Sequence, residues 1–199
     1  MTNSPDAVSV EVVRSHAGLR AVAVLPWLPT LWLGMILAIS FVEAPLKFQA
    51  PGITIPLGLG IGRLVFTALN IVEIALALAT VVTLLIARRT SAVHESRAGG
   101  LTWSLVATVG VLLLKVVWVR PLLNARSDVI VAGGDPGPSL LHSAYVVLEC
   151  LQVAALIVVI VFAVRLLLDA ARAHALTARD TNSSPTADAA PRDREETTR

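Results

Sequence analysis

Apolar positions in this chain are not scattered. They gather into four long blocks, over about 21–43, 62–88, 98–120 and 139–168. Each is close to the roughly 20 apolar residues a helix needs to cross a bilayer. A segment alone in lipid must satisfy its backbone internally, so each block is expected to be helical. No alternation of ten-residue strands appears, which excludes a β-barrel. The pattern predicts an all-α, up-down four-helix bundle in a membrane.

Polar stretches set the limits of that domain. Residues 1–20 read as a polar N-terminus, 21–168 as one transmembrane domain and 169–199 as a largely disordered cytoplasmic tail rich in Ala, Thr, Ser, Pro, Asp and Arg. The first block is too long for a signal-peptide core and is read as a retained helix. Trp27 and Trp32 suit its cytoplasmic interface. Residues 45–62 and 120–138 are expected to be loops, the first apolar enough to lie in the interface. Its Gly58, Gly60 and Gly62 are expected to turn the chain into the second helix. They lack the strand and spacing of a dinucleotide fingerprint. No internal repeat or heptad run stands out.

Composition agrees with a membrane protein. Apolar residues are 55% and charged residues 15% of the 199, and mean hydropathy is +0.75. A net charge of +2 gives no footing for nucleic acid. Basic residues set the orientation. One side carries Arg14, Arg20, Arg88, Arg89, Arg97, Arg165, Arg172 and Arg179; the other carries Lys47, Arg63, Arg120 and Arg126. The richer side is expected to be cytoplasmic, with both termini there, in an inner membrane. The single cysteine, Cys150, excludes an intramolecular disulfide and a CxxC site.

Candidate chemistry lies in the ionisable residues inside the blocks, which are costly in lipid and usually face the bundle interior. Glu73 and Glu149 each lie ten residues from an outer boundary, roughly 15 Å deep at helical rise. Two carboxylates are thus expected at one depth on different helices. Lys115 lies nearer the same face, within reach of them or of water. Helical spacing puts Arg63, Thr67, Asn70 and Glu73 on one stripe, and His142, Tyr145, Glu149 and Gln152 on another. Glu43 closes the first helix. The expected cluster is therefore Glu73, Glu149, Lys115, Arg63, Asn70, His142 and Glu43. It reads either as a polar lock between helices or as a site for an ion, proton or ligand. Four separated histidines, two methionines and one cysteine supply a copper site poorly, and no Ser–His–Asp arrangement is visible.

Leu33-Gly34, Ser40 to Phe48 (SFVEAPLKF), Leu141-His142-Ser143 and Glu149 carry a resemblance. The membrane core, 21–165, resembles small four-helix bacterial membrane proteins akin to the transmembrane protein 205 family and, remotely, CopD-like proteins. The resemblance implies the four-helix fold. CopD-like and HemJ-type relatives would imply copper or haem chemistry, but the first three helices here hold no histidine. No cofactor is therefore expected, with haem or quinone left open. The leading expectation is a non-enzymatic permease-like or ion- and proton-handling protein, with the lipid bilayer as its surroundings and a homo-oligomer or protein partner as further possibilities. A partner-binding scaffold and a membrane oxidoreductase are the alternatives.

Overall fold

The structure, a computed structural model, describes residues 17–90 and 95–183. It is an all-α four-helix bundle, with no strand among the described residues. Helix α1 spans Ala17–Gln49, α2 Ile55–Arg89, α3 Gly99–Val131 and α4 Leu141–Ser183. All four contain stretches long and apolar enough to cross a membrane. Principal contacts join α1 to α2, α2 to α3, α3 to α4 and α4 back to α1, as an up-down bundle requires. The α1–α2 and α3–α4 connections lie at one end, here called the hairpin end. The α2–α3 link lies at the other, the tail end.

Several boundaries differ from the sequence expectation. Helix α2 starts at Ile55 and not near 62. Thr54 caps it by accepting from the Leu57 N–H at 3.4 Å, and Pro56 sits in the first turn, where a missing N–H costs nothing. The turn before it is made at Gly52, with φ of 82°, a backbone state open to glycine. Gly58, Gly60 and Gly62 are therefore helical and turn nothing. The expected loop at 120–138 is helical as far as Val131, and α4 runs on to Ser183, well into the stretch expected to be disordered. Helix α1 is already formed at Ala17, the first described residue, inside the expected polar N-terminus. His16 and His94 lie outside the described residues.

Two helices contain a π-helical segment, Leu37–Glu43 in α1 and Lys115–Val119 in α3. Each is followed within two residues by a proline, Pro45 or Pro121. Proline has no N–H and crowds the carbonyl four residues back. The wider turn relieves that crowding, with the Ala44 N–H bonded to Ile39 O and the Arg120 N–H to Lys115 O. Such bulges are rare and recur at functional sites.

The core has layers. At the tail end Val22, Leu25, Leu84, Ala87, Leu101, Leu105, Val159 and Ala163 pack together. A middle layer holds Trp32, Ile36, Leu76, Ala77, Leu112 and Leu156. Gly100 lets α3 approach α4, since a Cβ there would meet the Phe162 ring at 2.8 Å. Beyond the middle layer, toward the hairpin end, the interior becomes polar.

Candidate functional site: a buried charge cluster beneath a pocket

Lys115 organises the polar layer. Its side chain is fully buried, and its ammonium donates to Glu73 Oε1 at 3.0 Å and Glu149 Oε1 at 3.1 Å. The expected equal depth of the two carboxylates is met, because one ammonium bridges them. Glu73 is saturated. Its Oε1 also accepts from Trp32 Nε1 at 3.0 Å and Gln152 Nε2 at 3.1 Å. Its Oε2 receives the Asn70 amide at 3.0 Å, in the amide orientation that its neighbours require.

That same Asn70 amide accepts from Arg120 Nε at 3.0 Å, so it links a guanidinium to a carboxylate. Arg120 Nη2 donates to Thr67 Oγ1 at 3.1 Å, and the guanidinium lies 5.6 Å from the Phe66 ring centre. Glu73, Glu149, Lys115 and Arg120 are the buried charged residues of the described chain. Two negative and two positive charges make the cluster neutral. Neutrality and nearly complete hydrogen bonding are what allow charges to leave water.

Glu149 differs from Glu73 in one respect. Its Oε2 is buried without a hydrogen-bond partner. The neighbouring Tyr145 hydroxyl is also buried and makes no well-formed hydrogen bond. Both residues line a cavity of about 410 Å³ at the hairpin end. Its other walls include Lys47, Arg63 and Arg120, His142, Ser40, and the Phe41, Phe48 and Phe66 rings. Lys47 lies near the Phe48 and Phe66 rings, 5.7 and 5.4 Å from their centres. Gly62 gives Lys47 its room, since a Cβ would sit 2.8 Å from Nζ, and Gly58 does the same for the Phe48 ring. The glycines expected to turn the chain thus shape the pocket wall.

The sequence-predicted residues separate into three places. Glu73, Glu149, Lys115 and Asn70 meet in the buried cluster. Arg63 does not join them; it is exposed and bonds Asp128 of α3. Glu43 is also apart, pairing with Lys47 at 3.5 Å. His142 is an exposed residue on the pocket wall.

Trp32 and Arg120 were missed. Trp32, expected at an interface, is wholly buried and donates to Glu73; Trp27 is the exposed one. Arg120 reads as the end of a hydrophobic block. On a regular α-helix it would point roughly 140° away from Lys115. The π segment between them narrows that angle, so both side chains reach α2. Pro121 was the available signal.

Among the described residues the other histidine, His174, lies toward the opposite end of α4 from His142. Among the described residues no three of His, Cys, Asp and Glu gather as metal ligands. What the arrangement can do is present one under-satisfied carboxylate, a phenol and several cations to a ring-lined cavity. In comparisons with known proteins, no family model, no curated protein and no solved structure matches this chain.

Proposed function

We propose that this is a permease-like, multi-pass inner-membrane protein that handles a proton or ion through its buried carboxylates, with Glu149 as the one reached from solvent. The carrying observation is the contrast between the acids. Both oxygens of Glu73 accept hydrogen bonds, whereas Glu149 lines the cavity and its Oε2 is buried without a well-formed one. A buried carboxylate without a full set of donors is the group whose protonation changes most readily with its surroundings.

The orientation with both termini cytoplasmic gains support. Of the basic residues on the sparser side, Lys47 and Arg120 turn into the bundle interior and Arg63 is paired. Few free positive charges then remain at the hairpin end, which is therefore read as the outer end. Four helices enclose little space below the cluster, so a complete pathway favours a homo-oligomer or an opening of the apolar layers.

The test is proton or ion flux in proteoliposomes carrying a pH-sensitive dye. Glu149→Gln is expected to abolish flux while the protein still inserts and elutes as a single species. Normal flux in both Glu149→Gln and Glu73→Gln would reject the reading. A second reading, a partner-binding subunit held by a polar lock, is favoured by the saturation of Lys115 and Glu73. It expects a stoichiometric partner on purification in mild detergent.

A further inference from the structure

The pocket has a chemical bias that points to a ligand class. Lys47, Arg63, Arg120 and His142 line it, with Glu149 as the single carboxylate among the lining residues; Lys47 is paired with Glu43 and Arg63 with Asp128, whereas Arg120 is held by the neutral Thr67 and Asn70 side chains. Phe41, Phe48, Leu59, Phe66, Leu123 and Val146 supply apolar walls. Ser40 Oγ, Tyr145 Oη and Glu149 Oε2 are buried around it without a well-formed hydrogen bond, the Tyr145 hydroxyl lying beside the Glu149 carboxylate. Tyr145 and Glu149 are more than nine-tenths buried, where an incompletely bonded polar atom is costly.

We infer that the cavity takes a small organic monoanion with an apolar body, bound together with one proton on Glu149. This rests on Glu149 being the solvent-reached carboxylate, as proposed above. Charge and hydrogen bonding both lead to it. With Glu149 ionised, its free oxygen is an acceptor and repels an anion. A proton from the aqueous side converts the Glu149 carboxylate into an O–H donor at the cavity wall. Lys115 then keeps its bond to Glu73. The buried cluster has gained one positive charge, and an entering anion cancels it. That anion finds donors in Glu149 Oε2–H, the Tyr145 hydroxyl and Arg120, with the rings against its body. Proton and anion thus enter as a pair with no net charge, which a low-dielectric interior favours.

Every charged or titratable group facing Glu149 is consistent with this coupling. They are Lys115 and Arg120 on α3, Glu73 and Arg63 on α2, Lys47 on α1, and Tyr145 and His142 on α4, with Glu43 of α1 and Asp128 of α3 behind Lys47 and Arg63 as their ion-pair partners. His142 is exposed at the wall.

The test uses the full chain in phosphatidylcholine nanodiscs and benzenesulfonate, an anion that cannot itself carry the proton. Saturable binding is expected, tightening about tenfold for each unit fall in pH over the range in which Glu149 is ionised in the anion-free protein. About one proton should be taken up per anion in weakly buffered solution. In Glu149→Gln, a neutral stand-in for the protonated acid, binding should persist without pH dependence or proton uptake. Tyr145→Phe, which removes a donor and leaves Glu149 in place, should weaken binding about tenfold and keep the linked proton. Absence of sulfonate binding overturns the assignment, as does binding without proton uptake. So does a preference for benzyltrimethylammonium that strengthens as pH rises. Phosphatidylglycerol that competes with the probe would identify an anionic lipid headgroup as the natural source. Its failure to compete would identify a soluble anion, and either result keeps the class. Missing sulfonate binding with Glu149-dependent flux intact rejects the anion alone; flux indifferent to Glu149 rejects the reading beneath it.

Discussion

The two halves of this bundle solve the same problem with different chemistry. In the tail-end half, buried hydroxyls bond their own helix: Thr80 donates to Leu76 O at 2.7 Å and Thr108 to Ser104 O at 2.8 Å. The contact between helices in the core there is made by Leu, Ala, Val and a glycine. In the hairpin-end half, polar groups bond across helices, so that α1, α2, α3 and α4 all contribute to one network. The first arrangement tolerates sliding and repacking; the second fixes register, because each donor has a particular acceptor. A buried network is also vulnerable, since losing one member strands the others.

The largest effect should come from stranding the acids. Lys115→Met leaves two carboxylates buried without their shared cation, and the cost is expected to be about 3–5 kcal/mol. Chemical denaturation in mixed micelles would measure it. Adding Glu73→Gln and Glu149→Gln to the same chain should recover much of the loss. No recovery would mean that Lys115 acts by packing and not by charge.

In the apolar half, Leu101→Ala removes a side chain that is 1% exposed. It should cost about 2–5 kcal/mol through the cavity it leaves. Unlike Lys115→Met, it should leave Glu149-dependent flux in place in whatever protein still folds. A specific loss of flux would show that the halves are coupled.

Trp32→Phe tests the seam between the two halves. It keeps most of the ring and removes one hydrogen bond to Glu73, and is expected to cost about 1.5–3 kcal/mol. A change below about half a kcal/mol would indicate that water or Gln152 replaces the indole.

The smallest contrast compares two glycines of one stretch. A Cβ at Gly58 would fall 2.3 Å from the Phe48 ring, whereas at Gly60 nothing lies within 4 Å. Gly58→Ala should cost about 1–3 kcal/mol by displacing a pocket wall. Gly60→Ala should be neutral or stabilise by up to about 1 kcal/mol through helix propensity. Thermal midpoints of the two variants would separate pocket shape from backbone preference. Equal midpoints would remove the pocket-wall role given to Gly58.

Much of the fold was legible because lipid leaves a chain few options. Four apolar blocks with polar ends are enough to specify four helices, and short connections make neighbours antiparallel. The stripe of Thr67, Asn70 and Glu73 was legible for a related reason, since helical periodicity fixes which side chains share a face. Helix ends were less legible. Leu, Ile, Gly and Pro at 55–62 satisfy a helix or an interfacial loop equally well until a cap such as Thr54 is in place. Helix α4 continues past the apolar block because Ala, Arg and Leu are good helix formers even outside it.

By itself, then, the sequence determined the number of helices, their antiparallel order and the depth at which Glu73 and Glu149 lie, because hydrophobic length and a fixed helical rise are properties of each segment alone. Only the tertiary structure decided which acid would be saturated and which left open to a cavity. It also drew Trp32 inward and brought Arg120 round to the face of Lys115. Those outcomes depend on π turns beside Pro45 and Pro121 and on partners from other helices. Periodicity along one segment contains neither.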